Sequence, residues 1–162
     1  MDKLQIFTTG GTIDKLYFDA LSEFQIGPPV IDSILKQMNV GFDYQIDELM
    51  RLDSLDMTDD HRRQMRQCVS AAQSQKILII HGTDGMAQTA SWLNEVQNKT
   101  IVLTGALQPA AFTNTDAVFN IGCAIGAVQT LKVGIYIAMN GNIFTADNVV
   151  KNRAEHRFEK IV

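Results

Sequence analysis

Cysteine, histidine and proline are scarce in this sequence, and long apolar runs are missing. The 162 residues include two cysteines, three histidines and three prolines. Cys68 and Cys123 stand in apolar helical patterns without the CxxC spacing of metal or redox sites, so we expect two free thiols. No apolar run approaches the roughly 18 residues that a membrane-spanning helix needs. We therefore expect no metal site and no membrane partner.

Basic charge is also in short supply. The chain has 14 lysines and arginines against 18 aspartates and glutamates, which gives a net charge of −4 and a pI near 5.2. Such a chain has no basic field that would attract nucleic acid or an anionic membrane surface, so we expect neither as a partner. The first residues lack the basic and apolar regions of a secretion signal, which favours a cytoplasmic location.

Strand and helix patterns alternate along the chain. With 162 residues, 46% hydrophobic and 20% charged, the sequence is expected to form one domain over residues 1–162. Crossover helices make successive strands parallel and cover both faces of the sheet, so we predict a doubly wound α/β fold with a mainly parallel sheet. The predicted strands span residues 4–7, 44–52, 76–81, 100–103 and 133–139. The predicted helices span residues 30–38, 86–96 and 116–131, and a further helix capped by Thr58 runs through Ala72.

Three segments do not follow this alternation. Residues 14–27 lack a regular apolar face, which indicates a mobile loop or a loose hairpin that is a candidate lid. Asn140, Gly141 and Asn142 are typical of a hairpin turn. The tail from Arg153 to Lys160 is charged, and no element is predicted for it.

Hydroxyl-bearing and glycine-rich loops follow several predicted strands. Thr12, Ser54, Thr83, Asp84 and Gly105 each come just after a strand. In a doubly wound sheet the ligand cleft lies beyond the carboxyl ends of the strands, so we expect these residues on one rim. A threonine hydroxyl is a poor nucleophile unless a base or a hydrogen-bond partner takes its proton, and the amides of such turns can stabilise an oxyanion. The rim therefore has the residue types that acyl transfer needs.

Taken singly, these features also have structural interpretations. The Gly10-Gly11 pair could be a strand-to-helix turn, and residues 82–85 could be a turn with an N-cap. His81 has no second histidine or cysteine nearby and is expected to be a strand-end histidine with one satisfied nitrogen. Tyr17 and Lys151 could be solvated surface residues. A phosphate cradle is disfavoured because the sequence has neither a Walker lysine nor a Gly-x-Gly-x-x-Gly pattern, so we expect no cofactor.

Five short segments and two single residues form a set of motifs along the chain. They are residues 6–13 (IFTTGGTI), 53–57 (DSLDM), 81–86 (HGTDGM), 103–109 (LTGALQP) and 147–151 (DNVVK), with Asp116 and Asn120 between the last two. In this order they resemble the bacterial-type L-asparaginase family, and specifically its larger amino-terminal domain. The resemblance covers essentially the whole chain. It implies the flavodoxin-like fold of that domain and an amidohydrolase that cleaves the side-chain amide of L-asparagine or a related small amide.

The resemblance also implies a catalytic role for four residues. Thr12 matches the threonine that attacks the amide and forms an acyl-enzyme. Thr83 and Lys151 match the threonine and lysine that relay its proton. Tyr17 matches the tyrosine of the family's flexible loop, which is an alternative proton carrier.

Four further positions are implied in substrate binding. Ser54 matches the serine that binds the substrate carboxylate, and Asp84 matches the aspartate that receives the α-ammonium. Gly11 lies in the first signature beside the nucleophile. Leu55 stands where the family often has glutamine or another polar contact, so recognition of the carboxylate is expected to be weaker or altered.

The family's smaller carboxy-terminal domain has no counterpart in this sequence. In family members the second domain of a neighbouring subunit supplies an acid to the substrate ammonium, so one wall of the pocket is expected to be missing or to come from elsewhere. Two functions stay open: an amidohydrolase, and a non-catalytic module that binds a small amide or an amino acid. The uncovered apolar surface predicts a homodimer or a higher homo-oligomer.

Overall fold

A six-stranded sheet lies at the centre of the molecule, seen here in a computed structural model that describes residues 3–161. In chain order the strands are β1 (Leu4–Gly10), β2 (Lys15–Phe18), β3 (Glu23–Ile26), β4 (Tyr44–Leu52), β5 (Lys76–Ile80), β6 (Thr100–Thr104), β7 (Gly134–Met139), β8 (Asn142–Thr145), β9 (Val150–Asn152) and β10 (Arg157–Glu159). The α-helices are α1 (Ile31–Gln37), α2 (Asp59–Ala71), α3 (Met86–Trp92) and α4 (Ala117–Thr130). Short 3-10 turns span Thr12–Asp14, Asp19–Leu21 and Ser54–Asp56.

The central sheet has the strand order β4-β1-β5-β6-β7-β8. Its first five strands are parallel, and β8 pairs antiparallel with β7. Buried side chains of α1 and α4 pack in a core on one face, and those of α2 and α3 pack in a core on the other. The predicted doubly wound α/β fold is therefore confirmed. The strands β5 and β6 are buried on both faces, which explains their unbroken aliphatic runs.

The predicted helix cap at Thr58 and the predicted hairpin turn at Asn140 are both present in the structure. Thr58 caps α2, because its hydroxyl accepts a hydrogen bond from the amide of His61 while the His61 ring accepts one from the amide of Thr58. Asn140 and Gly141 have φ angles of 54° and 75° and form the turn between β7 and β8. That pair of left-handed residues suits the twist of a tight hairpin.

The remaining differences lie at chain segments with weak periodicity. The strand β1 continues past Phe7 to Gly10, and α3 ends at Trp92 rather than at Val96. Residues 15–26 form the antiparallel hairpin β2–β3, which agrees with the hairpin alternative, whereas its mobility stays a prediction. The small antiparallel sheet of β9 and β10 was not predicted; β10 lies in the charged tail and β9 directly before it.

The two cysteines and Lys99 have defined surroundings in the structure. Cys68 and Cys123 are free thiols and are half-buried rather than fully enclosed. The ammonium of Lys99 is held by the carbonyls of Ala72 and Ser74, at 2.6 and 2.8 Å. No helix within residues 3–161 has both the length and the apolar character to cross a membrane.

Candidate active site

The loops after β1 and β5 lie directly against each other. Gly11 has a φ angle of 98°, and a Cβ built on it would stand 2.6 Å from the Cα of Gly82. A Cβ on Gly82 would in turn stand 2.8 Å from the Cβ of Ser54. Any side chain at these glycines would push the loops apart, so the glycines let three strand-end loops meet at one edge of the sheet.

A cleft of about 610 Å³ opens at this edge. Thr12 and Thr83 both line it, together with Asp84 and Lys151. The other lining residues are Leu107, Gln108, Asp116, Phe119, Asn120, Asn140 and His156. The structure therefore brings the two predicted threonines and the predicted lysine to a single cleft.

Lys151 forms hydrogen bonds to both Thr83 and Asp84. Its Nζ donates to Oγ1 of Thr83 and to Oδ1 of Asp84, both at 2.8 Å. Arg153 adds a second cation, with its Nε 3.2 Å from the same oxygen of Asp84. Burial alone would raise the pKa of Asp84, but the ion pairs with Lys151 and Arg153 outweigh it and lower that pKa below its ordinary value. Asp84 is therefore ionised at neutral pH.

Lys151 reaches Thr83 because of the small sheet that the sequence analysis missed. Lys151 is the middle residue of β9 and pairs with Phe158 of β10, whose side chain is buried in the core. The amide of Phe158 donates to Oδ1 of Asn140 at 2.8 Å, which ties this sheet to the β7–β8 turn. These contacts hold the lysine over the strand-end loops.

Ser54 stands behind the loop of residues 82–85 instead of lining the cleft. It is buried, and its hydroxyl accepts a hydrogen bond from the amide of Gly85 at 2.9 Å. Leu55 is 66% exposed, and neither residue is among those that line the cleft. The structure thus places the predicted carboxylate-binding serine next to the site, with its hydroxyl engaged by the main chain.

Tyr17 lies on the hairpin β2–β3, outside the cleft. It is 52% exposed, and its ring packs against Phe24 with 5.3 Å between ring centroids. Phe24 continues the stack to Phe112 at 5.6 Å. In this conformation the tyrosine is not among the residues that line the cleft.

Asp116 and Asn120 shape the loop that follows β6. Asp116 accepts hydrogen bonds from the amides of Leu107 and Gln108, at 2.9 and 3.0 Å for the shortest contacts. Asn120 Nδ2 donates to the carbonyl of Gly105 at 2.9 Å and to Asp116 Oδ2 at 2.8 Å. The two residues therefore hold one wall of the cleft in place.

His81 is a buried, neutral side chain beneath the cleft. Its Nδ1 lies 2.7 Å from the carbonyl oxygen of Gly82, which can only accept, so Nδ1 carries the proton. Its Nε2 lies 2.7 Å from the hydroxyl of Thr89 and accepts from it. Both nitrogens are satisfied, which corrects the expectation of one. Burial lowers the pKa of His81 to about 4.

Some residues at the cleft had no signal in the sequence analysis. Arg153, which contacts Asp84, and His156, which lines the cleft, belong to the charged tail, and Phe119 and Asn140 come from helical and turn patterns. The sequence signal that could have pointed to Arg153 is its position two residues after the proposed catalytic lysine, and this signal is weak. Within residues 3–161 no group of three histidine, cysteine or acidic side chains is arranged to hold a metal ion.

The fold and the cleft together define an α/β domain that presents hydroxyl groups at the carboxyl ends of its parallel strands. The sequence matches the family "Asparaginase, N-terminal" over residues 3–159. The chain therefore belongs to the asparaginase family and corresponds to its amino-terminal domain.

Similar proteins agree with this assignment. The probable periplasmic L-asparaginase of Haemophilus influenzae is 26% identical over 162 residues, which cover 93% of this chain and 46% of that protein. The glutaminase-asparaginase of Acinetobacter glutaminasificans is 28% identical over 160 residues, which cover 90% of this chain and 48% of that protein.

Solved structures show the same likeness in three dimensions. The thermostable L-asparaginase from Thermococcus kodakarensis has a TM-score of 0.86 and 27% identity, over 98% of this chain and 51% of that one. The chain thus spans about half the length of the relatives it matches. One relative is named periplasmic, and the cytoplasmic location of this protein stays a prediction.

Proposed function

We propose that this protein hydrolyses the side-chain carboxamide of L-asparagine or a related small amide through a threonine nucleophile. The observation that carries the proposal is the convergence of Thr12 and Thr83 on one cleft, with Lys151 hydrogen-bonded to Thr83. Acyl transfer needs a nucleophile and a nearby group that handles its proton, and these three side chains provide both. The family membership supports the same reaction class.

In the proposed first step, Oγ1 of Thr12 attacks the carbonyl carbon of the amide. A C–O bond forms, the C–N bond breaks, and the hydroxyl proton passes through the Thr83-Lys151 pair to the leaving nitrogen, which departs as ammonia. In the second step a water attacks the ester carbon. The C–O bond to Thr12 breaks, the product carboxylic acid leaves, and the threonine regains its proton.

The backbone of the first loop has a role of its own in the proposal. Gly10 and Gly11 both have positive φ angles, which turn the chain sharply at the end of β1. Amides in such a turn can donate to the oxyanion that forms on the attacked carbonyl. Tyr17 joins this scheme only when the hairpin β2–β3 moves over the cleft, and Tyr17→Phe would then slow ammonia release.

Recognition of the substrate is assigned to the loop after β4 and to Asp84. Ser54 and Leu55 do not line the cleft in this conformation, so Ser54 is proposed to contact the substrate carboxylate, and Leu55 to border it, only when their loop moves. Asp84 is the ionised carboxylate of the cleft, and an ammonium would approach it in those substrates that carry one. Replacing Asp84 should therefore weaken the binding of a substrate that carries an ammonium.

The test is ammonia release by Thr12→Ala and Thr83→Ala beside the wild type. Each variant is expected to lose at least ~100-fold in rate, since removing a nucleophile or its proton partner typically costs that much or more. The melting temperature should change little, and Thr12→Ser should retain measurable activity. Thr113→Ala is the control, because Thr113 is exposed and lies outside the cleft.

Two outcomes would contradict the proposal. Full activity in Thr12→Ala would remove the nucleophile assignment. A wild type that binds asparagine or glutamine in a calorimeter but releases no ammonia would instead favour the non-catalytic binding module.

A further inference from the structure

The carboxylate of Asp84 is held by two cations at the same oxygen. Lys151 Nζ lies 2.8 Å from Oδ1 and Arg153 Nε lies 3.2 Å from it. The side chains of Lys151 and Asp84 are largely enclosed, at 16% and 27% exposure, whereas that of Arg153 is 67% exposed at the rim. One negative and two positive charges therefore meet at Oδ1 of Asp84.

The second acid of the cleft, Asp116, accepts hydrogen bonds from groups of the protein itself. Oδ1 of Asp116 accepts from the amides of Leu107 and Gln108, at 3.1 and 3.0 Å. Its Oδ2 accepts from the amide of Leu107 at 2.9 Å and from Nδ2 of Asn120 at 2.8 Å. Among the described residues that line the cleft, Asp84 and Asp116 are the acids, so no carboxylate there is free of a donor.

This arrangement disfavours a cationic group on the ligand. A substrate ammonium that approaches Asp84 would have to displace the Arg153 guanidinium or stand beside two like charges. A ligand without the ammonium meets no such repulsion. If it carries a carboxylate, the exposed guanidinium of Arg153 attracts that carboxylate.

We propose that Arg153 determines the substrate class and directs the cleft toward ω-amides of carboxylic acids that lack an α-amino group. The inference rests on the proposed function, which it deepens by naming the chemistry of the substrate. Succinamic acid is the matched probe, since it differs from asparagine in having hydrogen in place of the α-ammonium. Hydrolysis of either compound consumes one water and converts the carboxamide into a carboxylate and an ammonium ion.

The first experiment measures kcat/KM for ammonia release from succinamic acid and from asparagine. In the wild type we expect succinamic acid to be preferred by about tenfold or more, which is the usual scale of one unfavourable charge contact. Arg153→Gln should reduce this ratio about tenfold, whereas Arg153→Lys should keep most of it because the positive charge remains. A purely structural role for Arg153 would lower both rates together and leave the ratio unchanged.

Arg157→Gln is the control variant. Arg157 is another exposed arginine of the same β9–β10 unit, but its Nε contacts Glu159 at 2.7 Å rather than Asp84. It should leave the substrate ratio as in the wild type. A preference for asparagine in the wild type, or an equal ratio in wild type and Arg153→Gln, would overturn the proposal.

A binding experiment separates this inference from the proposed function. Calorimetric titration with succinate and with aspartate needs no turnover. Tighter binding of succinate, with the preference lost in Arg153→Gln, would support the role of Arg153 even if neither amide is hydrolysed. Equal affinity for the two acids, or no binding of either, would overturn it.

Discussion

Two adjacent threonines of β1 differ in the partners of their hydroxyl groups. Both are buried, but Thr9 donates to the carbonyl of Ile80 at 2.9 Å, whereas Oγ1 of Thr8 has no partner within residues 3–161. Leaving a buried hydroxyl unpaired costs roughly 1–3 kcal/mol, and valine has nearly the same shape without the polar atom.

We therefore predict opposite effects of the two threonine-to-valine changes. Thr8→Val should raise the free energy of unfolding by about 1 kcal/mol, and Thr9→Val should lower it by about 1 kcal/mol. Urea unfolding followed by circular dichroism measures both. A destabilised Thr8→Val would mean that the Thr8 hydroxyl is satisfied in solution.

At the scale of elements, Asp14 joins the two ends of the hairpin β2–β3 to the body of the protein. Its carboxylate accepts from the amide of Val30 at 3.0 Å, and its carbonyl accepts from the amide of Gly27 at 2.8 Å. Burial raises the pKa of Asp14 from 3.8 to about 6, although the bond from Val30 partly opposes this shift. At neutral pH the hairpin therefore rests on a buried, ionised carboxylate.

This shift predicts how Asp14→Asn depends on pH. The folded state of the wild type holds the Asp14 proton up to about pH 6 while the unfolded state releases it near pH 4, so the wild type loses stability between these values. Asparagine does not titrate and keeps an acceptor for Val30. The free energy of unfolding of Asp14→Asn, relative to that of the wild type, should therefore rise by on the order of 2 kcal/mol as the pH goes from 4 to 7.

Urea unfolding of both proteins at pH 4, 5, 6 and 7 provides the measurement for Asp14→Asn. Because the two proteins share His81, its own titration cancels in the difference. A constant difference across this range would contradict the raised pKa of Asp14.

Some element-scale features could be predicted and others could not. Strands that are buried on both faces, such as β5, have a strong hydrophobic signal, and the turn at Asn140 and Gly141 has a specific one. The strands β9 and β10 have three residues each, and such short strands leave no local pattern that marks them. Their pairing depends on Phe158 reaching the core, which is a tertiary contact.

At the scale of the whole molecule, the oligomeric state stays a prediction. The sequence favours a homodimer or a higher homo-oligomer, and several large apolar side chains of the hairpin are exposed, namely Leu16, Tyr17, Phe18, Leu21 and Phe24. Exposed apolar patches commonly mark contact surfaces. Sedimentation equilibrium at micromolar concentration should therefore give a mass of at least twice the 18.0 kDa of one chain. A mass of one chain over the whole concentration range would contradict this expectation.

By itself, the sequence determined the layered α/β architecture and the loops in which Thr12 and Thr83 stand. Those features follow from hydrophobic periodicity and from short motifs, which are local properties of the chain. Only the tertiary structure decided that Ser54 bonds to the main chain, that Tyr17 lies outside the cleft, and that Arg153 shares Asp84 with Lys151. Such pairings join side chains far apart in sequence, and their geometry depends on how glycine contacts and a buried phenylalanine set the loops against each other.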